Sequence, residues 1–353
     1  MEFHAPLKGR GAQVNPPNRY QKQSLNTDTD DGLDEPFAPD ARTEIRYEHA
    51  RTILHEVKSP DIPLSLSINP YQGCEHGCIY CYARPSHAWW GMSPGLDFER
   101  IIIVKQNAAE LLDATLSKPG HTPASVMFSG NTDCYQPIER QLSLTRACLE
   151  VFRSFRHPVG MITKNSLITR DIDILAEMAA QRLAHVYISI TTLDEDLRRI
   201  MEPRTASAAR KLETIRQLTA AGIPTGVMVA PIILGLNNHE IPAILEAAAD
   251  AGALAAGYTL VRLNDEVGDI FTQWIRHHLP DRADKVLNQI RDCHGGSLEE
   301  KRFGKRMRGE GALAESVRHL FQLSRQKYLK DRQMPGYDLS LFRVPPRGQL
   351  SLF

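Results

Sequence analysis

Three cysteines fall in one short stretch, Asn69-Pro-Tyr-Gln-Gly-Cys-Glu-His-Gly-Cys-Ile-Tyr-Cys-Tyr-Ala-Arg84, with the spacing Cys74-x-x-x-Cys78-x-x-Cys81. Three small thiols in so tight a loop gain little as core residues. Gly73 and Gly77 let the same loop turn sharply and approach an inorganic core closely. A cubane 4Fe–4S cluster normally takes four thiolates. Held by three, it keeps one iron open for a cofactor or substrate. The competing chemistry is zinc: His87 could complete a tetrahedral Cys3His site.

These residues need a scaffold, and the sequence supplies one. From about Leu64, short apolar runs alternate with helical stretches. The runs are Leu64–Ile68, Ser125–Phe128, Val159–Thr163, His185–Ile190, Pro224–Val229 and Ala256–Val261. Helices are expected over Ile138–Phe155, Asp171–Gln181, Ala208–Ala221 and His239–Ala251. Continuous apolar strands alternating with helices imply a parallel sheet covered on both faces. Six units imply an α/β fold, a partial (six-repeat) βα TIM-like barrel with a C-terminal helical extension. Functional groups then sit at the C-terminal ends of the strands, where the cysteine loop falls. Residues 1–45, rich in Pro, Asn, Gln and Asp, read as a disordered arm. Residues 46–265 form the barrel and 266–334 a helical extension, with helices over Val267–His278, Arg282–Cys293 and Gly311–Leu329. Residues 335–353 read as a flexible tail.

With 353 residues, 42% of them apolar, the chain can bury a full core. Its formal net charge of zero gives no global pull towards nucleic acid or anionic lipid. No apolar run is long enough to span a bilayer, and the first residues lack a signal-peptide core. A cytoplasmic protein with no membrane partner is expected, and in that compartment close-set thiols favour metal over disulfides.

The cysteine motif after the first strand of a βα series resembles the radical S-adenosylmethionine (SAM) superfamily. Asn69-Pro-Tyr-Gln-Gly-Cys74 with Tyr80-Cys-Tyr-Ala-Arg84 is similar to the branch containing spore photoproduct lyase and the so-called DNA-repair photolyases. The resemblance spans roughly residues 64–262. It implies that Cys74, Cys78 and Cys81 ligate a 4Fe–4S cluster and that SAM chelates the open iron. One electron then cleaves the sulfonium and yields a 5′-deoxyadenosyl radical, with flavodoxin or ferredoxin as donor. It also implies SAM contacts from the second-strand loop, Ser129, Gly130 and Thr132, from Lys164 ending the third strand, and from Ser189 on the fourth. A compact ammonium suits a carboxylate. Arg204 either supports that carboxylate or pairs with Glu202. Tyr80 and Tyr82 are implied in SAM stacking or radical return. Spore photoproduct lyase has a hydrogen-donor cysteine just before an Asp in the second-strand loop. Here Cys134 follows Asp133, so Cys134 is either a radical relay or a small buried thiol. That departure argues against thymine-photoproduct cleavage itself.

The implied substrate is a nucleobase or damaged DNA, in DNA repair. The alternatives are radical modification of a protein or small metabolite, or a non-catalytic iron–sulfur or zinc protein that binds nucleic acid. Lys301–Arg308 holds five cations and Phe303, a composition suited to phosphate contacts, though such runs are commonly solvated helix ends. The last residues, Gln349-Leu-Ser-Leu-Phe353, resemble the pentapeptide that docks bacterial proteins on the DNA sliding clamp. Asp338-Leu-Ser-Leu-Phe342 is a near copy. Burying two leucines and a phenylalanine gives roughly 5–8 kcal/mol before ordering costs, enough for weak docking, which a clamp pull-down with and without those residues tests.

Overall fold

The computed structural model describes residues 7–20, 42–62 and 64–346. The proposed clamp-docking residues Gln349–Phe353 lie outside them. Ten strands occur among the described residues: β1 Glu44–Glu48, β2 Leu54–Glu56, β3 Leu66–Ile68, β4 Tyr71–Gln72, β5 Ile101–Lys105, β6 Val126–Phe128, β7 Val159–Thr163, β8 Ala184–Ser189, β9 Thr225–Ile232 and β10 Ala255–Leu260. The large sheet runs β10-β9-β8-β7-β6-β3-β2, and its first six strands pair in parallel. Those six correspond to the six apolar runs of the sequence. They lie in consecutive chain order, as right-handed βα crossovers generate. The sheet is open, and β2 caps its edge antiparallel to β3.

The strands form because they are buried on both faces. Val159, Met161, Val186, Ile188, Val227 and Val229 are all within 1% of full burial. Helices supply the other half of that core. Leu144–Ser154 buries Cys148, Leu149 and Phe152, and Ala208–Ala220 buries Ile215 and Leu218. The expected helix 138–155 is broken at Ser143, whose left-handed φ of 53° separates Glu139–Leu142 from Leu144–Ser154.

A second sheet of three strands, β1-β5-β4, lies outside the βα series. Its centre is β5, a fully buried Ile-Ile-Ile-Val-Lys run. β1 pairs with it in parallel from Glu44 to Glu48, so ordered structure starts before the expected boundary at 45. Residues 7–20 are also not a free arm. The carboxylate of Glu99 accepts the backbone N–H of Gly11 (2.9 Å) and Ala12 (2.7 Å). Asn18 Nδ2 donates to the carbonyls of Ala88 and Met92. Gly11 passes so close to the cysteine loop that a Cβ there would lie 1.9 Å from the Gly77 carbonyl oxygen. Polar composition predicts disorder only when nothing partners the backbone; here buried side chains do.

The helical extension appears as expected, with helices Val267–His278, Pro280–Cys293 and Gly311–Tyr328. The first two carry Phe271, Trp274, Val286 and Ile290 into a second core that contains Cys78, Ile79 and Tyr80. The extension therefore buttresses the cysteine loop.

The tail corrects another expectation. Residues 335–346 are docked across the N-terminal ends of β7 and β8. Tyr337 stacks on His185 with centroids 4.0 Å apart. Its hydroxyl oxygen lies 2.7 Å from where a Gly160 Cβ would stand, so only glycine admits it. Asp338 pairs with Arg182 at 2.8 Å, and Phe342 packs against Phe155, His121 and His157. The near copy of the terminal pentapeptide is thus held by the fold itself.

This base of the sheet gives a pH prediction. Burial pushes His157 and His185 down to about 4 from the usual 6.5. Unfolded imidazoles take up protons near 6.5, and the folded ones only near 4. Between those values the unfolded state binds more protons, so stability falls as pH falls through that window. The loss is on the order of 3 kcal/mol per ring. Urea midpoints measured across the window should drop on acidification and flatten in His157→Gln/His185→Gln; an unchanged slope in that variant would assign the drop to other groups.

Candidate functional site

The cysteine loop begins where β4 ends. Gly73 and Gly77 take φ of 77° and 69°, the left-handed values the turn requires. A Cβ on Gly73 would lie 2.7 Å from the Ile101 carbonyl oxygen. The backbone is pinned at several points. Cys74 N–H donates to Phe98 O (2.9 Å), Ile79 N–H to Met201 O (3.0 Å) and Arg204 N–H to His76 O (3.2 Å). Gln136 bridges the loop, accepting from Glu75 N–H and donating to Gly73 O.

Arg84, absent from the sequence-based list of site residues, is the loop's main clamp. Its guanidinium is fully buried and donates to the Cys78 carbonyl through Nε (3.1 Å) and Nη2 (2.9 Å). It pairs with Glu99, also fully buried. Glu99 in turn holds residues 11 and 12 over the loop. This chain of contacts ties the N-terminal segment, Arg84 and the Cys78 turn into one unit.

All three thiols are free and lie within reach of one another's charge. Burial pushes Cys74 and Cys78 well above the ordinary thiol range and also raises Cys81. Bare thiols here stay protonated at neutral pH. A cationic metal core is the partner that makes buried thiolates stable, so the donor set fits an iron–sulfur cluster. Among the described residues, no group of three or more His, Cys, Asp or Glu is gathered into a preformed metal site, so the fourth ligand is what separates the cluster from zinc. His87, the fourth ligand of the zinc reading, is fully buried and packed edge-on to Phe98.

Beside the thiols lies a buried ionic cluster. Lys164, just past β7, donates from Nζ to Thr191 Oγ1 (3.1 Å) and Ala230 O (3.0 Å) and pairs with Glu202 at 3.2 Å. Lys211 reaches the other Glu202 oxygen at 3.1 Å. Tyr80 donates its hydroxyl to the same carboxylate, and Lys164 sits 5.7 Å from the Tyr80 ring centroid. Burial, reinforced by the Lys211 charge, pulls Lys164 down to about 8. Two ammoniums face one carboxylate, so the cluster carries excess positive charge next to the thiols. Lys164 and Tyr80 are therefore brought together, with their polar atoms engaged by Glu202. Thr191, Glu202 and Lys211 escaped the sequence reading as site residues. Lys211 left a signal, because it shares the buried stripe of its helix with Thr214, Ile215 and Leu218.

The second-strand loop lies against the cysteine loop. Asn69 Oδ1 accepts the Asn131 N–H, and Thr132 Oγ1 donates to Tyr71 O at 2.8 Å. Gly130 O accepts the Tyr82 hydroxyl, and Arg262 lies over the Tyr82 ring at 5.1 Å. Ser129 has φ of 76°, and its Oγ accepts the Cys134 N–H. Ser189 is buried at the end of β8, in register with Met228. Asp133 anchors the strand ends: burial raises it, yet His76, the Lys164 N–H and the Thr163 hydroxyl together hold it below the usual carboxylate range.

Cys134 is fully buried in the main core with Phe128 and Phe152, and its N–H is held by Ser129 of the second-strand loop. Arg204 pairs with Glu75 (3.2 Å), not with Glu202; Glu202 is occupied by two lysines. The basic run 301–308 is largely neutralised: Arg302 and Lys305 pair with Glu310, Arg306 with Asp61 and Lys301 with Glu299. Those cations are not free for phosphates.

A parallel α/β sheet with a thiol-bearing loop and an ammonium at its strand ends is the kind of setting in which α/β enzymes hold a cofactor. The model of the radical SAM superfamily matches residues 68–248, just over half of the chain. The chain belongs to the radical SAM superfamily and is a radical SAM enzyme, and that family implies SAM and a 4Fe–4S cluster. An uncharacterized protein of Mycobacterium tuberculosis is 31% identical over 232 residues, covering 65% of this chain and 68% of that protein. A radical SAM Nα-GlyT isomerase of Pseudomonas phage M6 is 27% identical over 172 residues, covering 48% of this chain and 34% of its own. Among solved structures, a mutant of spore photoproduct lyase superposes with a TM-score of 0.60 at 15% identity, covering 81% of this chain and 80% of its own. Spore photoproduct lyase complexed with dinucleoside spore photoproduct gives 0.58 at 16%, with coverage of 80% and 79%. At those identities the likeness is one of fold. No helix among the described residues is long and apolar enough to cross a membrane.

Proposed function

We propose that Cys74, Cys78 and Cys81 hold a 4Fe–4S cluster with one open iron, and that the enzyme uses SAM to modify a nucleobase in DNA. The observation that carries this reading is the gathering of three thiols of one loop, Cys74 and Cys78 buried and Cys81 partly exposed, at the strand ends beside the Lys164 ammonium. When bound, the cluster and SAM supply one-electron cleavage of the sulfonium and a 5′-deoxyadenosyl radical. The chain's own residues orient and seal. Arg84 fixes the Cys78 turn, and Glu202 holds Lys164 where its charge faces an incoming carboxylate. Carbonyls of the Ser129–Thr132 loop suit the SAM amino group. Residues 7–20 and the helices at 267–293 keep water from the loop. The open sheet in consecutive order reads as a partial barrel whose mouth carries these groups.

A nucleobase is supported by a solved structure of the same fold, a spore photoproduct lyase complexed with dinucleoside spore photoproduct. The full burial of Cys134 in the core argues against its handing a hydrogen atom to a substrate at the mouth. The reading is therefore base modification rather than thiol-assisted photoproduct reversal.

Anaerobically reconstituted protein, reduced with dithionite, should form 5′-deoxyadenosine from SAM, faster when thymine-containing DNA is added. Mass spectrometry of digested nucleosides should then show an altered base. Absence of 5′-deoxyadenosine under every condition would reject the radical chemistry. Formation indifferent to DNA would reject the substrate alone.

A further inference from the structure

A cavity of about 540 Å³ opens beside the cysteine loop, and its charged lining is entirely cationic: Arg140, Arg204 and Arg210, with Asn165, Ser166 and Ser207 between them. Arg140 and Arg210 are exposed and make no ion pair among the described residues. Arg204 is the inner member, one-third exposed and anchored by Glu75. Ser207 caps the helix Ala208–Ala220, accepting the Arg210 N–H, so the positive end of a thirteen-residue helix also points here. Even with Glu75 set against Arg204 and Glu213 close enough to interact with Arg210, the lining keeps an excess of positive charge.

We propose that this cavity binds the phosphate of a nucleic-acid strand whose base lies at the thiol loop. The inference rests on the function proposed above and narrows its substrate to a base carried on a charged backbone. Guanidinium forks match phosphate oxygens two at a time. Three arginines and a helix N-terminus around one cavity form a cradle for that group, and the volume admits a nucleotide unit rather than a lone ion. The cavity also connects to the reacting centre. The Arg204 N–H holds the His76 carbonyl and its guanidinium holds Glu75, both between Cys74 and Cys78. Asn165 follows Lys164 directly, and its Nδ2 lies 3.2 Å from His76 Nε2. A phosphate seated on the arginines is thus one side-chain layer from the thiols.

The same chemistry could serve a strand phosphodiester or the terminal phosphate of a free nucleotide, and the test separates them. Binding of a short labelled oligothymidylate to cluster-loaded, full-length protein is followed by fluorescence anisotropy over a range of salt. Arg140→Gln/Arg210→Gln should weaken binding about 10–100-fold and flatten the log–log salt dependence by ~0.7, the value for one phosphate neutralised on a single strand. A methylphosphonate oligomer, neutral along its backbone, should bind wild-type protein as weakly as the double variant binds the normal strand. Thymidine 5′-monophosphate should compete poorly if the strand is the ligand; competition matching the strand's would assign the cradle to a free nucleotide. Unchanged affinity and salt slope in the double variant, or equal binding of the methylphosphonate, would overturn the proposal. The methylphosphonate arm uses no variant, so misfolding cannot decide the outcome. Binding is read without turnover, so the phosphate site and the radical chemistry fail or stand independently.

Discussion

Replacing Cys74, Cys78 or Cys81 singly by alanine lowers 5′-deoxyadenosine formation at least ~1000-fold and removes the iron-dependent visible absorbance. The magnitude follows from the chemistry. With one of three thiolates gone, the cluster is held by two, and the protein retains no other means of delivering an electron to a sulfonium. Neither His87, packed against Phe98, nor Cys134, buried in the main core, is a ready replacement, and the carboxylates of Asp133 and Glu202 are already engaged by His76 and by Lys164 and Lys211. Cys148→Ala is the control: that thiol is fully buried on the helix Leu144–Ser154, in the main core and outside the cysteine loop. It should cost some stability and keep iron and turnover. A Cys78→Ala protein that still binds iron and cleaves SAM would sink the cluster assignment.

Glu202→Ala should be the most destabilising single change in the ionic cluster, by about 3–5 kcal/mol. Glu202 is fully buried and serves Lys164, Lys211, Tyr80 and Thr191 at once. Removing it leaves two ammoniums facing each other in a low-dielectric interior with no anion between them. The diagnostic is coupling. Lys211→Met on its own breaks a pair, but added to Glu202→Ala it removes one of the stranded charges. The double variant should therefore be more stable than the sum of the single effects predicts, by ~1–3 kcal/mol. Urea unfolding of the four proteins measures this. Simple additivity would mean that Glu202 acts through packing rather than charge.

How much of this could be read beforehand depended on the range over which each feature is determined. The thiol trio was legible because its spacing is a local requirement of the ligand set. The six parallel strands were legible because burial on both faces leaves continuous apolar runs, and the helix Val267–His278 because its apolar period is intact. The small sheet was not: β4 is two residues long and carries no period, and its pairing partner β5 follows twenty-nine residues later, Tyr71 opposite Val104 among the pairs. Arg84 and Glu99 look like ordinary surface charges in a sequence, and only the fold buries both. Arg204 illustrates the same limit. Its sequence neighbour Glu202 was the natural partner, yet the actual partner, Glu75, is 129 positions away. The tail misled for a related reason. Prolines and polar residues suggested mobility, while Tyr337 and Phe342 find aromatic seats that no local pattern announces.

The seat of that tail separates two faces of the molecule. Arg343 is still fastened by its N–H to the Phe155 carbonyl, underneath the sheet, while the sulfur-bearing loop opens on the upper side. Contacts that clasp the base are thus kept apart from those that do chemistry, so a change at Tyr337 or Phe342 is felt as stability and a change at Cys78 as turnover.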